Sequence, residues 1–391
     1  MYFYVQNIRN MIKKIMKNIF KIIHSSKKSS ARSGILKTAH GTINTPFFMP
    51  IATYGAVKTQ SSSDIKRLPS DILLSNTYHL YIRPGTHILE KAGGLHKFMN
   101  WNDIILTDSG GYQVYSLQGM RKITDDGVTF QSHLDGSKHH FTPEKVVDIQ
   151  RSIGSDIMMM LDVCPPGDAS KTKWVEALNL TTKWAIRAKK YYDQTKPLYG
   201  HHQIISPIVQ GGTDLNLRKQ SAMELIDINC DMYAIGGLAV GEPKEEMLKV
   251  VNYMDTILPK EKPRYLMGVG TPADLVENIL NGVDMFDCVM PTRNARNSQL
   301  FTFNGKVNIK NSKYKDDFSP IDDNDFSLMS TQYSKAYLHH LFKTNEILGL
   351  RIATQHNLKF YMHLMSEIRK KINADCFEDW AKDFLSRYNN E

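Results

Sequence analysis

Residues 282–297 read GVDMFDCVMPTRNARN. The first half is an apolar run that carries two acids, Asp284 and Asp287, and it stops at Pro291. A basic, polar loop holding Arg293 and Arg296 is expected to follow. A carboxylate inside an apolar strand is costly unless it is paired or used. Two arginines just beyond it suit a phosphate-bearing substrate. The competing reading is a plain strand end with a solvated loop, and the rest of the chain has to decide between them.

Seven more short apolar runs precede this one: 46–51, 71–75, 104–107, 157–161, 207–209, 232–235 and 264–267. With 283–286 they make eight. They are continuous rather than alternating, as strands buried on both faces are. Helical patterns separate most of them. Thr142-Pro143 supplies an N-cap and a proline at the first helical position, and 173–194, 215–228, 243–258 and 271–281 are amphipathic. Strand–helix alternation carried to eight strands predicts an α/β protein of the closed (β/α)8 TIM-barrel type. Spacing alone leaves an open doubly wound sheet as the alternative. Asp135-Gly136, between 128–134 and 138–142, predicts a β-hairpin insertion. After residue 297 a hairpin around Asn304-Gly305, a turn-rich stretch and three helical patterns (333–348, 351–372, 377–388) predict a C-terminal helical subdomain. The expected division is a basic extension (1–30), a catalytic barrel (31–297) and a C-terminal subdomain packed on it (298–391).

The 391 residues are 41% hydrophobic, enough for a sizeable core, and carry a formal net charge of +9, which favours a polyanionic partner. Cys164, Cys230, Cys288 and Cys376 form neither a C-x-x-C pair nor a disulfide ladder, which fits a reducing, cytoplasmic setting. No apolar run approaches membrane-spanning length. Residues 8–23 alternate lysine with isoleucine, methionine and phenylalanine. They read as a ragged extension with an amphipathic targeting presequence as the alternative.

In a barrel the site lies where the strands end. The third run ends in Asp108-Ser109-Gly110-Gly111-Tyr112, and the fourth in Asp162 with Cys164 two residues on. The fifth ends in Gln210-Gly211-Gly212, the sixth in Gly236-Gly237-Leu238, the seventh in Gly268-Val269-Gly270 and the eighth in Asp287. Glycines admit a flat ligand close to the backbone. Asp162 and Gln210 can hydrogen-bond the edge of a purine-like base, and Tyr112 can stack on its face. Asp287 and Asp108 make a nucleophile and acid/base pair, the usual apparatus for exchange at a sugar's anomeric carbon. A lone Gly-Gly is commonly a tight turn and a lone aspartate a helix cap. Three acids and an amide at successive strand ends are harder to explain that way.

TDSGGYQ, IVQGG, YAIGGLAVGE, YLMGVGTP and DMFDCVMPTRNARN together resemble the tRNA-guanine transglycosylases of bacterial type, the queuine tRNA-ribosyltransferase family, from about residue 32 to beyond 361. The resemblance implies a TIM barrel that exchanges the wobble guanine of GUN-anticodon tRNAs for 7-aminomethyl-7-deazaguanine in queuosine biosynthesis. By motif it makes Asp287 the nucleophile at C1′, forming a covalent glycosyl-enzyme, and Asp108 the general acid/base. It places the base among Ser109, Gly110, Gly111, Tyr112, Asp162, Cys164, Gln210, Gly237, Leu238 and Met267. RNA contacts fall on Gly268, Val269, Gly270, Thr271, Pro272, Ala273 and Asp274, and on Thr292, Arg293, Asn294, Ala295 and Arg296. Cys164 and Val240 are the residues of the bacterial pocket.

One family feature is missing. The resemblance implies a structural zinc held by C-x-C-x-x-C and a later histidine, but the cysteine positions fall on Asp325, Ser327 and Ser330, with only His356 retained. Serine is a poor zinc ligand, so no zinc and no other cofactor is expected, and 319–331 should be loosened. The pairs His139-His140, His201-His202 and His339-His340 lack partners at ligand spacing. The family's homodimer is expected, with the lost zinc region beside its interface. Two other classes compete: a non-catalytic tRNA-binding subunit, suggested by the lost ligands, and a free nucleoside hydrolase. The retained acids speak against the first, and the basic charge with the two arginines against the second.

Overall fold

The computed structural model describes residues 19–116, 119, 121–322 and 328–388. Its strands, in chain order, are β1 (Phe20–Ser25), β2 (Arg32–Thr38), β3 (Gly41–Thr45), β4 (Phe47–Met49), β5 (Ile72–Ser75), β6 (Ile104–Thr107), β7 (Arg121–Ile123), β8 (Val128–Gln131), β9 (Lys138–Phe141), β10 (Ile157–Met159), β11 (Ile204–Ser206), β12 (Ile208–Val209), β13 (Tyr233–Ile235), β14 (Arg264–Leu266), β15 (Met285–Asp287), β16 (Gln299–Thr302) and β17 (Gly305–Asn308). All eight apolar runs supply strands.

Together with β11, which precedes the fifth run, these strands are parallel and form two sheets, β11-β10-β6-β5 and β12-β13-β14-β15-β4. Between β11 and β12 stands Pro207, which has no N–H to give a ladder. At the far edges, Ile51 forms an isolated parallel bridge with Leu74. The fold is thus mixed α/β with parallel sheets.

Side chains sort by the two-residue period of a strand. Phe47 and Met49 join an inner apolar cluster with Ile72, Leu74, Ile104, Leu106, Ile157, Met159 and Met285, while Phe48 joins the outer one beneath the helices. With both faces covered, continuous hydrophobic strands carry no exposed apolar side. Several helices begin on side-chain caps: Thr142 accepts from Lys145 N–H, Asp214 from Asn216 and Leu217, and Thr271 from Asp274.

Part of the stretch expected as an extension, 1–30, is strand. Residues 20–25 are β1, antiparallel to β2, which pairs in turn with β3. Phe20, Leu36 and Ile43 enter the inner cluster. The β2–β3 turn is tied to Asp156, just before β10, by the His40 N–H at 3.0 Å. This sheet therefore covers the amino-terminal ends of the parallel strands and leaves their carboxyl ends open. The end of the 8–23 stretch, read as a ragged or targeting extension, lies in β1, where Phe20 is buried; residues 8–18 lie outside the described part.

The predicted hairpin is present as β8 and β9, with β7 as a third strand. The stretch after Pro291 is a helix, Met290–Arg296, where a loop was expected. Its last turn is polar on the surface but buries Thr292 and Ala295. Behind it runs the helix Ile347–Asn373, whose buried Asn357 takes the Phe301 N–H and donates to Pro291 O and Gln299 O. No described helix is long and apolar enough to cross a membrane.

Candidate active site

The carboxyl ends of the parallel strands line a cavity of about 410 Å³. Asp108, Ser109, Tyr112, Asp162, Cys164, Gly237, Leu238, Val240, Met267 and Asp287 all border it. Residues spread over 180 positions of sequence are brought together because each follows a strand of the same parallel set.

The two acids proposed for catalysis are held differently. Asp287 ends β15 and takes the Tyr265 O–H at 2.6 Å and the Gly268 N–H at 2.8 Å, both on Oδ1. Neither bond engages its Oδ2. Asp108 follows β6 and accepts from the Asn76 amide and, at 2.8 Å, from Thr77 N–H. Burial pushes the Asp108 carboxyl up to about 6, against the hydrogen bonds of Asn76, Thr77 and Gln113, and the Asp287 charge adds to the rise. Burial also raises Asp287, while Tyr265 and Gly268 pull it back. Two neighbouring carboxyls in unlike hydrogen-bond settings can divide the work of nucleophile and proton carrier.

The other acid of the 282–297 stretch, Asp284, is fully buried and paired. Arg32 grips it with Nε at 3.0 Å and Nη2 at 2.6 Å, and Arg264 N–H adds a third bond at 2.8 Å. One acid of the 282–297 stretch is structural, and the other faces the cavity.

At the cavity floor, Asp162 takes the Ser109 hydroxyl and the Gln210 amide, each at 2.7 Å. Ser109 in turn takes the Gly111 N–H at 3.0 Å. A Cβ on Gly111 would lie 2.6 Å from both Asp162 O and its Oδ1, so only glycine fits there. Gln210 Oε1 is buried with no hydrogen-bond partner. Burial pushes the Cys164 thiol up to about 12, which makes it an inert wall rather than a nucleophile. Tyr112 is 58% exposed at the rim, free to meet a flat ligand.

The segments assigned to RNA are partly internal. Gly268 is exposed, but Val269, Pro272 and Ala273 are buried, Gly270 O takes the Tyr361 hydroxyl at 2.5 Å, and Asp274 meets Lys244 at 3.4 Å. In the second segment Arg293 is exposed and Arg296 partly so. Asn294 donates to Gln299 at 2.7 Å. Burial and then the Arg293 charge lower the Arg296 pKa, a strain that an anion would relieve.

Sequence reading missed Asn76, His79 and Tyr265. Asn76 directly follows the second run, so continuing the strand-end survey to that run would have found it. Tyr265 lies inside a strand, and nothing in its local pattern points it at Asp287.

Where the family's zinc ligands would stand, His356 is buried with Nε2 donating to Phe301 O at 2.9 Å and Nδ1 facing the Ser330 hydroxyl at 2.7 Å. Asp325 and Ser327 lie outside the described residues. A serine hydroxyl and a histidine bonded at both nitrogens do not suit zinc.

Among the described residues one other set could hold an ion: His40, His96 and Asp156, at the opposite ends of the strands. The two imidazoles stack 3.9 Å apart at 23°, so their ring-plane lone pairs run side by side rather than converging. Asp156 already accepts His40 Nδ1 at 2.9 Å and Ile105 N–H at 2.9 Å. This is a hydrogen-bonded staple.

Comparison with known proteins gives one consistent result. The family model described as queuine tRNA-ribosyltransferase matches residues 26–390. A protein of that name from Caldanaerobacter subterraneus subsp. tengcongensis is 51% identical over 369 residues, 94% of this chain and 97% of its own length. Another, from Thermoanaerobacter pseudethanolicus, is also 51% identical with the same coverage. One from Francisella tularensis subsp. novicida is 49% identical over 363 residues, 93% of this chain and 97% of its own.

Proposed function

This chain belongs to the queuine tRNA-ribosyltransferase family, and from that premise we propose that it is a tRNA-guanine transglycosylase, a pentosyltransferase of queuosine biosynthesis. It exchanges the wobble guanine of GUN-anticodon tRNAs for 7-aminomethyl-7-deazaguanine. The observation that carries this reading is the shared cavity of Asp287 and Asp108, with unlike hydrogen-bond partners on each.

The reaction is a double displacement. Asp287 Oδ2 bonds to ribose C1′ as the C1′–N9 bond breaks, and the bond's electron pair leaves with guanine. Protonated Asp108 gives its proton to the departing base nitrogen. The incoming base then loses its N9 proton to the Asp108 carboxylate and bonds to C1′, and the ester to Asp287 breaks with its electrons returning to the carboxylate. Two inversions give retention at C1′. Ser109, Gly110, Gly111, Asp162, Gln210 and Gly237 hold the edge of the base. Leu238, Met267 and Cys164 wall it, and Tyr112 stacks.

The tRNA runs over Gly268, Thr271 and the Arg293–Arg296 end of the short helix, where two guanidinium groups meet phosphates. The two parallel sheets close into one eight-stranded (β/α)8 barrel; chain continuity through Pro207 and the Ile51–Leu74 bridge support this. Residues 298–391 act as a subdomain that keeps its place without zinc, and the enzyme works as a cytoplasmic homodimer.

The test is covalent trapping with a wobble-guanine tRNA hairpin. The wild type should form an adduct stable to denaturant and incorporate labelled guanine. Asp287→Ala should bind the hairpin but do neither. An adduct of undiminished yield in Asp287→Ala would refute the assignment.

A further inference from the structure

Resting on the base-exchange reading above, we propose that Arg218 is a positioning residue for the base subsite. It turns two consecutive peptides of the loop after β13 so that their N–H groups face the cavity as donors to a keto oxygen.

Arg218 lies on the helix Leu215–Asp227 and is fully buried. Its donors go to backbone carbonyls. Nε reaches Gly212 O at 2.7 Å, Nη1 reaches Val209 O at 2.9 Å and Gly236 O at 2.7 Å, and Nη2 reaches Gly237 O at 3.2 Å. Burying a cation without a bonded carboxylate is costly, and burial indeed pushes this guanidinium down to about 10. An apolar side chain of similar volume would fill the space without that cost. The geometry offers the compensating gain. The four carbonyls come from the ends of two adjacent strands, and only a planar group with five donors can meet them all at once.

In a trans peptide the C=O and the following N–H point in opposite directions. With Gly236 O held by Arg218, Gly237 N–H points away from it, and with Gly237 O held, so does Leu238 N–H. Gly236, Gly237 and Leu238 all border the cavity. The Gly237 N–H opposes the rise that burial imposes on the thiol of Cys164, another cavity residue. Gly237 has φ +62°, and a Cβ there would come within 2.4 Å of Gln210 Oε1, so the loop conformation depends on glycine as well as on the clasp. Two adjacent N–H donors beside Gln210 and Asp162 suit an acceptor on the edge of a flat base, the 6-keto oxygen of a guanine-type ring. Released from Arg218, the same peptides can turn their carbonyls inward and repel that oxygen.

The experiment compares wild type, Arg218→Lys and Arg218→Met as full chains. The readouts are guanine incorporation into tRNA, tRNA binding, and inhibition by guanine and by 2-aminopurine, which lacks the keto oxygen. Arg218→Met should raise the KM for guanine at least about tenfold, the scale of a lost hydrogen bond or more. Its tRNA binding and 2-aminopurine inhibition should stay within about twofold of wild type, again less than one hydrogen bond. Arg218→Lys, with a charge but no fork, should fall between. A loss shared equally by guanine, 2-aminopurine and tRNA would mean that Arg218 only props the fold, and would overturn the proposal. Should both variants fail to fold, the wild type still decides: equal inhibition by the two bases would refute the inward donors. A wild type that incorporates no guanine would sink the base-exchange reading itself, and this proposal with it.

Discussion

Tyr265 donates its phenolic O–H to Asp287 Oδ1 at 2.6 Å from within the neighbouring strand, β14. The bond fixes one carboxylate oxygen and leaves the other, the one proposed to attack, outside it. Burial raises the Asp287 pKa and this bond opposes the rise. Tyr265→Phe should therefore raise that pKa further. The carboxylate form persists only above its pKa, so the acidic limb of the rate profile should move to higher pH. The rate at neutral pH should drop about tenfold, the scale of one hydrogen bond to a charged group. A pH profile of single-turnover adduct formation checks both effects.

Burial lifts the Asp108 carboxyl to about 6, and Asn76 holds it down against that rise. Asn76→Ala removes a donor to the carboxylate, so the protonated form is favoured and the pKa rises. The limb of the exchange profile that belongs to Asp108 should shift upward from about 6. An unchanged limb would mean that Asp108 is not the proton carrier.

Arg32 and Asp284 form a buried pair with side-chain exposures of 5% and 0%. Removing one partner leaves a buried charge uncompensated, at about 3–5 kcal/mol. Arg32→Met should lower denaturant stability by that amount. Its adduct formation, measured well below the melting temperature, should remain near wild type, since neither residue borders the cavity.

Phe20 on β1 is 4% exposed and belongs to the inner cluster. Phe20→Ala should cost about 3 kcal/mol, as buried phenylalanines generally do. A change below about 0.5 kcal/mol, the range of surface substitutions, would mean that β1 is dispensable. Thermal and urea unfolding measure it.

Zinc should be well below one atom per chain by elemental analysis, and chelators should leave melting and exchange unchanged. His356→Leu removes the donor to Phe301 O in a buried site and should destabilise by about 1–3 kcal/mol, the cost of an unsatisfied polar group. One zinc per chain, lost together with stability on chelation, would overturn the assignment of a metal-free site.

Much of the parallel core could be read in advance, because strands buried on both faces must be continuously apolar. The helix cap at Thr142 was equally legible, since capping is local chemistry. The residues 19–45 were not. Their β1–β3 sheet is specified by the end of the core that Phe20, Leu36 and Ile43 cover, and no local pattern announces it. The helix Met290–Arg296 was hidden for a similar reason. Its polar composition suggests a loop, and only burial of Thr292 and Ala295 beneath it selects the helix.

By itself the sequence determined which residues can carry charge and chemistry at the strand ends, and the family to which their motifs belong. Motif and composition are properties of the chain, readable one residue after another. Tertiary structure decided which of two acids in one short stretch is spent on Arg32 and which faces the cavity. It also brought Asn76, Tyr265 and Arg218 to bear on the site. Those partners lie 6 to 252 residues from the groups they bond. A hydrogen bond depends on distance and angle in space, which sequence separation does not encode.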